Sequence, residues 1–277
     1  MKAEDFRPIK FGKLDQDERW DVFGNSQRWL CSDEGTEARK FLLDRRQLDL
    51  GTVAEFRVGF VPLRIDHDFA GRLVMPIFDT YNNLLALSVR PLLEDKEELK
   101  KVGKYWNESY DKGNHLFGLN LAKYWIVKWG FAILVEGQMD TMAMHSFGMP
   151  NTVGVLGGAF TPFHAMLIKR WTSQLVLLFD GDAAGRADVV RAREILSYYD
   201  YQSPGRRKPR NVFKHMAVKL PGESDPNDYL CKKGSLGMKE EIMRANGDAV
   251  SMGAHKLAIP DEWQTEEVIA RLKHGRQ

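Results

Sequence analysis

Phe131-Ala-Ile-Leu-Val-Glu-Gly-Gln-Met-Asp140 opens the stretch that decides the fold, and Leu175-Val-Leu-Leu-Phe-Asp-Gly-Asp182 with Ala183-Ala-Gly-Arg186 closes it. Each half is a short apolar run, rich in β-branched and aromatic residues, that ends in acids beside a glycine. Such runs read as buried strands, and the segments between them carry helical periodicity. Alternating strand and helix implies a parallel sheet with right-handed crossovers. In such sheets the carboxyl ends of the strands form the binding crevice. Carboxylates gathered at that edge repel one another unless a cation lies between them, so the stretch reads as a magnesium site.

Working outward, the 277 residues suffice for one large domain or two small ones. The composition, 43% hydrophobic and 28% charged, is that of a globular chain. No apolar run approaches the ~20 residues of a membrane span, and Met1-Lys-Ala-Glu-Asp5 lacks the apolar core of a secretory signal. Cys31 and Cys231 stand far apart without CxxC or CxxH neighbours, which argues against a disulfide framework and against a zinc ribbon. The expectation is an intracellular protein with no membrane partner and no zinc. A net charge of +2 gives no argument for nucleic acid by itself. Between Tyr201 and Lys219, however, Arg206, Arg207, Lys208, Arg210, Lys214 and Lys219 occur with no acid among them. That segment reads as a phosphate-contacting loop or a plain solvated one.

Taken in order, residues 1–35 have no functional reading, with turns expected at Gly24-Asn-Ser26 and Ser32–Gly35. Thr36 can cap a helix fading after Arg46, and Asp49 a second one reaching Phe56. Arg72–Phe78 and Leu84–Arg90 read as a hairpin around the polar cluster Asp79–Asn83, and Pro76 implies an edge strand or a bulge. Residues 94–101 read as a solvated charged excursion, and Lys104–His115 as a loop holding basic, aromatic and amide groups. Leu116–Trp129 has helical spacing and Gly130 ends it. Strands then end near Val135, Val155 and Phe179, with helices from Gln138 to Phe147, from Thr161-Pro162, and from Asp182 to Tyr199. A fourth strand, Val212–Val218, leads into Pro221–Tyr229, and the remainder, including Glu262–Lys273, reads as helical. The expected organisation is residues 1–35 unassigned, a basic subdomain over 36–129, the acidic α/β domain over 130–234 and a helical segment over 235–277.

Three acidic clusters fall at strand ends: Glu136 with Asp140 a turn later, Asp180 with Asp182, and Asp225 with Asp228. Singly, each has a local explanation, since a glutamate can complement a helix dipole and an Asp-x-Asp can cap a helix. Their joint arrival at one sheet edge fits metal-assisted phosphoryl transfer, in which Mg2+ or Mn2+, as a pair of ions, bridges carboxylates and substrate phosphate. A carboxylate not fully engaged by metal, Glu136 foremost, suits general acid or base work.

These residues also carry a family likeness. Glu136-Gly-x-Met-Asp140, Leu156-Gly157-x-x-x-Thr161, Asp180-Gly-Asp182 with Ala184-Gly185, and Asp225-Pro226 resemble the Toprim domain of bacterial DnaG-type primases. Phe56–Pro62, Arg72–Asp79, Arg90, Lys104-Tyr-x-Asn107 and Lys112…Leu116-Phe-Gly-Leu119 resemble the N-terminal half of the primase polymerase core. The likeness runs from Thr36 to Gly234. It implies an α/β fold, with an α+β N-terminal subdomain followed by a Toprim-type parallel sheet flanked by helices. It also implies a DNA-directed RNA polymerase of primase type, using ribonucleoside triphosphates and a single-stranded DNA template in the cytoplasm. By the same resemblance Asp180, Asp182 and Asp225 hold metal, with Asp140 and Asp228 nearby and Glu136 acting in acid/base chemistry or metal binding. Arg72, Arg90, Lys104, Asn107 and Lys112 line the nucleic-acid or nucleotide groove.

Several departures qualify the likeness. The cysteine count lacks the family's zinc-binding domain, the tail is short for its helicase-interaction domain, and Asn227 and Asp228 compete for the last acidic position. These point to a compact phage- or plasmid-type primase, or to a catalytic subunit whose zinc and helicase functions lie on other chains. A Toprim-family nuclease and a non-catalytic single-strand-binding replication accessory are the alternatives.

Overall fold

The computed structural model describes residues 1–10, 12–157, 159–201, 213–251 and 256–274. The chain divides into two compact units, Met1–Asp111 and Lys112–Gln277.

In the first unit a long helix α1 (Gln16–Cys31) precedes the short α2 (Thr36–Lys40), which runs on as a π-turn over Phe41–Arg45, and α3 (Leu50–Glu55). Helix α1 runs straight through Gly24-Asn-Ser26, correcting the turn expected there. Its start was legible: Asp15 accepts from the Glu18 amide at 2.9 Å while Glu18 accepts from the Asp15 amide at 3.2 Å, a capping box. Asp49 caps α3 through the Thr52 amide as expected. Four antiparallel strands follow: β1 (Gly59–Val61), β2 (Arg72–Phe78), β3 (Leu84–Pro91) and β4 (Trp106–Asn107), adjacent in that order. Pro76 lies in an interior strand, not an edge one. β1 pairs only with Arg72–Val74, so the ladder on that side ends before Pro76, and the bulge comes one step later, between Ile77 and Phe78. The expected charged excursion forms the exposed helix α4 (Lys96–Val102), capped by Asp95. Val61, Val74, Leu87 and Val89 from the sheet, with Phe69 from the loop after β1, close over Phe23 of α1.

The second unit follows the expected alternation closely. Helix α5 (Leu119–Trp129) starts three residues later than its periodicity implied, after Gly118, and stops at Gly130, whose φ of 78° is the left-handed conformation that ends helices. Then come β5 (Ala132–Val135), α6 (Gln138–Ser146), β6 (Thr152–Gly154), α7 (Pro162–Lys169), β7 (Gln174–Leu177), α8 (Ala183–Tyr201) and β8 (Lys214–Ala217). The chain ends in α9 (Pro226–Ser251), broken at Gly234, and α10 (Glu266–His274). The four strands are parallel, in the order β6-β5-β7-β8. Ala132–Val135 are fully buried, which is why a continuous apolar run, not an alternating one, marks the central strand. Ala122 and Ile126 of α5, Ala165 and Ile168 of α7, and Ala192 and Leu196 of α8 pack in the same core. Among the described residues no helix is long and apolar enough to cross a membrane. The turn residue Gly158 and the basic residues Arg206, Arg207, Lys208 and Arg210 lie outside the described residues.

Candidate active site

Glu136, Asp180, Asp182 and Asp225 stand where a strand hands over to a helix. Glu136 follows β5, and one of its carboxylate oxygens, Oε1, accepts the Asp180 amide at 3.0 Å, tying together two loops 44 residues apart. The Leu156–Gly157 turn after β6 closes on the same point, with the Gly157 amide donating to the Glu136 carbonyl at 3.3 Å. Asp182 begins α8, its Oδ1 accepting the Gly185 amide at 2.8 Å. Asp225 begins α9, its Oδ1 accepting the Asp228 amide at 2.7 Å. The local explanation, helix capping, is thus real for both aspartates, but each uses one oxygen for it. The second oxygen of each takes no hydrogen bond from a described residue.

What draws these loops together is backbone. The Gly181 amide donates to the Ser224 carbonyl at 3.0 Å, locking the loop after β7 to the loop after β8. A β-carbon on residue 181 would sit 2.7 Å from the Gly222 carbonyl oxygen, so only glycine permits this approach. Arg186, which the sequence reading passed over, donates through Nη1 to the Gly181 carbonyl at 2.7 Å and braces the loop from its other side. Its signal was its position one turn into α8, next to the acids.

Asp140 and the last acidic position resolve differently. Asp140 is buried on α6, and its Oδ1 accepts the Asn227 amide at 3.1 Å. Asn227 is itself buried, whereas Asp228 is exposed on the first turn of α9. Among the described residues no three His, Cys, Asp or Glu side chains form a ready-made metal cage. The donor set still fits a hard cation: it is all oxygen, half-exposed at Glu136, Asp180, Asp182 and Asp225, and open to water and phosphate oxygens that complete such a shell. Glu136, Asp180, Asp182 and Asp225 would hold it.

Lys112 stands at the start of this unit, in a single turn, Lys112–Asn114, fixed by the cap of α7. Thr161 Oγ1 donates to the Gly113 carbonyl at 2.6 Å. His164 accepts the Thr161 amide at Nδ1 (3.2 Å), which leaves Nε2 to donate to the Lys112 carbonyl at 3.0 Å.

In the first unit the basic candidates separate. Arg72 is buried over the Phe6 ring, and its guanidinium donates to the carbonyls of Asp68 at 2.7 Å and Arg7 at 2.8 Å. Burial holds its pKa below the usual arginine value. Arg90 is also buried, 1% exposed, yet makes no hydrogen bond or ion pair with any described residue. Its guanidinium lies over two rings instead, 5.2 Å from the Tyr105 centroid and 5.7 Å from that of Phe41. Lys104, exposed, approaches the same Tyr105 ring at 5.9 Å. Tyr105 and Phe41 are residues the sequence reading missed, because nothing local announces that a strand-borne arginine will meet them. Asn107 is on β4, opposite Ser88, and not in a loop.

Glu108, also missed, is fully buried. It accepts the amides of Leu14 (2.8 Å) and Leu87 (2.7 Å) and pairs with Arg19, whose Nε and Nη2 both reach it at 3.0 Å. This knot fixes the residue that follows Asn107, and with it the end of β4.

Comparison with known proteins agrees with this layout. Residues 133–230 match a family described as Toprim-like. The DNA primase of Clostridium acetobutylicum is 33% identical over 192 residues, covering 68% of this chain and 28% of that protein. A solved DnaG primase catalytic domain bound to ssDNA is 25% identical, with a TM-score of 0.67 over 83% of this chain and 78% of that one. The zinc-binding and RNA polymerase domains of Aquifex aeolicus primase are 26% identical, with a TM-score of 0.65 over 86% and 63%. The chain spans between 28% and 44% of the length of the first curated relatives it matches.

Proposed function

Because the chain carries a DnaG-type primase catalytic core with its Toprim domain, we propose that it is the polymerising part of a primase, joining ribonucleotides into short primers on single-stranded DNA. The observation that carries this reading is the Gly181–Ser224 backbone bond, which brings Asp180, Asp182 and Asp225 to one edge beside Glu136. A single helix cap explains none of that convergence.

Magnesium or manganese, two ions in this proposal, would neutralise the triphosphate and the charge developing on the leaving pyrophosphate. The protein's own residues do the rest. Glu136, Asp180, Asp182 and Asp225 present oxygens to the cation, and Glu136 also moves the proton of the attacking hydroxyl. Asp140 serves as a brace through the Asn227 amide, and after Asp225 it is the solvent-facing Asp228, not the buried Asn227, that joins in meeting substrate or metal. Arg90, lacking a protein counter-charge, suits a phosphate, and Lys104, Asn107 and Lys112 suit phosphate or base. Arg72, buried on the strand paired with that of Arg90, is a supporting residue in this proposal. A replicative helicase and a zinc-binding function that act with this core belong to the same proposal.

The test incubates the purified chain with single-stranded DNA, four ribonucleoside triphosphates and magnesium or manganese. New labelled oligoribonucleotides are the expected result. Shortened DNA without new RNA would move the reading to a Toprim nuclease, and binding without either product to a single-strand-binding accessory.

A further inference from the structure

One cavity of the first unit has no part in the chemistry above. It encloses about 580 Å³ between α1 and the loop after β1, within the ~300–1,000 Å³ typical of ligand sites. Its floor is apolar: Val22 and Trp29 from α1 and Ile65 from the loop are half-buried, packed on the core on one side and open to the cavity on the other. Its rim is acidic. Glu18 and Asp21 come from α1, Asp66 and Asp68 from the loop, against Lys13 and a His67 whose pKa burial holds below the usual value. The helix contributes at positions 18, 21, 22, 25 and 29, a single stripe, so the acids and the tryptophan share one face.

The local structure accounts for part of this rim. Glu18 completes the capping box, Asp66 pairs with Arg7, and Asp68 accepts the Lys10 amide at 3.0 Å. Asp21 has no partner among the described residues. The pattern also excludes a nucleic-acid track here, since carboxylates around a concave surface repel a phosphate backbone. What it complements is positive charge joined to an apolar body, which could lie on Trp29 and reach Glu18, Asp21 and Asp68.

We propose that this cavity docks a basic, aliphatic-anchored segment of another polypeptide, with a leucine-sized side chain on Trp29 and Ile65 and lysine or arginine on the acidic rim. A protein partner would thus hold the enzyme on the face that nucleic acid avoids. The inference does not depend on the polymerase reading, because the probe is a peptide and the readout is binding.

The experiment titrates the whole chain into a fluorescein-labelled peptide alternating arginine and leucine and follows anisotropy. Peptides alternating glutamate with leucine, and arginine with serine, are the controls. The expected result is binding of the first peptide only, weakened about tenfold by Asp21→Lys and again by raised salt. Asp182→Ala should leave that affinity unchanged, and primer synthesis and melting temperature should be unchanged in Asp21→Lys. Equal affinity for the arginine–serine peptide removes the apolar anchor, and loss of binding in Asp182→Ala but not Asp21→Lys moves the site to the acidic sheet edge. Displacement of the peptide by equimolar spermidine makes the occupant a free polyamine, and protection of Trp29 from oxidation by oligo-dT makes it nucleic acid. No binding of the arginine–leucine peptide, or any of these four results, overturns the proposal.

Discussion

Two regions of this chain gather carboxylates, and they do opposite things with them. In the first unit Glu108 is sealed at the end of the antiparallel sheet, with both oxygens taken by the amides of Leu14 and Leu87 and by the Arg19 guanidinium. In the second unit Asp182 and Asp225 each cap a helix with one oxygen and present the other at the edge of the parallel sheet. Both arrangements are stable, because in both every buried polar atom of the acid has a donor. The difference is whether protein groups exhaust the carboxylate. An exhausted one is structure, and a half-used one is a site. The arginines divide in the same way: Arg19 is paired, while Arg90 is equally buried and has only aromatic rings beside it.

The contrast breaks first at Glu108. Glu108→Ala strands a buried guanidinium and should cost about 3–5 kcal/mol of unfolding free energy in a urea titration. A loss below about 1 kcal/mol would put Glu108 in the same class as the sheet-edge acids. Asp182→Asn keeps the cap but removes the charge. It should cut primer synthesis about 10²–10³-fold with stability within about 1 kcal/mol of the parent, and retained synthesis would take Asp182 out of the site.

His145 of α6 sharpens the comparison through pH. Burial depresses its pKa to about 4 while one ring nitrogen meets the Thr152 carbonyl at 2.9 Å. Its native form is therefore neutral, so its stability contribution is whole above pH ~6.5 and drains away as pH falls toward 4, by about 3 kcal/mol. Comparing the pH dependence of unfolding in His145→Gln with the parent isolates this term, and parallel curves would refute it.

Arg90→Met should weaken binding of a labelled oligo-dT about tenfold while leaving stability equal or higher, because an unpaired buried charge is removed. Destabilisation instead would make Arg90 a structural residue like Arg19. The smallest effects belong to Lys104→Ala and Lys112→Ala, each expected to weaken oligo-dT binding only about threefold and to flatten its salt dependence. Unchanged affinity in both would remove them from the nucleic-acid surface.

Much of this was legible beforehand. Apolar runs marked β5 and β7, the two central strands of the parallel sheet, and Thr161-Pro162 and Gly130 marked a helix start and a helix end to the residue. Those signals act over one or two turns, where sterics and capping bonds are local. The Asp15–Glu18 box is equally local, yet Gly24-Asn-Ser26 within the same helix reads as a turn. Glu108 looked like one more loop acid, and Arg72 and Arg90 looked alike. Their difference depends on which carbonyls, amides and rings lie across the sheet.

The sequence by itself determined the alternation of strand and helix, the placing of acids at strand ends, and the likeness to primases. Only the tertiary structure decided which acids meet. Asp180 and Asp225 come together through the Gly181–Ser224 bond, and Asp140 is turned inward by the Asn227 amide. The physical reason is one of range. Periodicity and capping are short-range properties of neighbouring residues, whereas the convergence of two loops depends on crossover packing that sets strand neighbours and on a glycine that lets backbones touch.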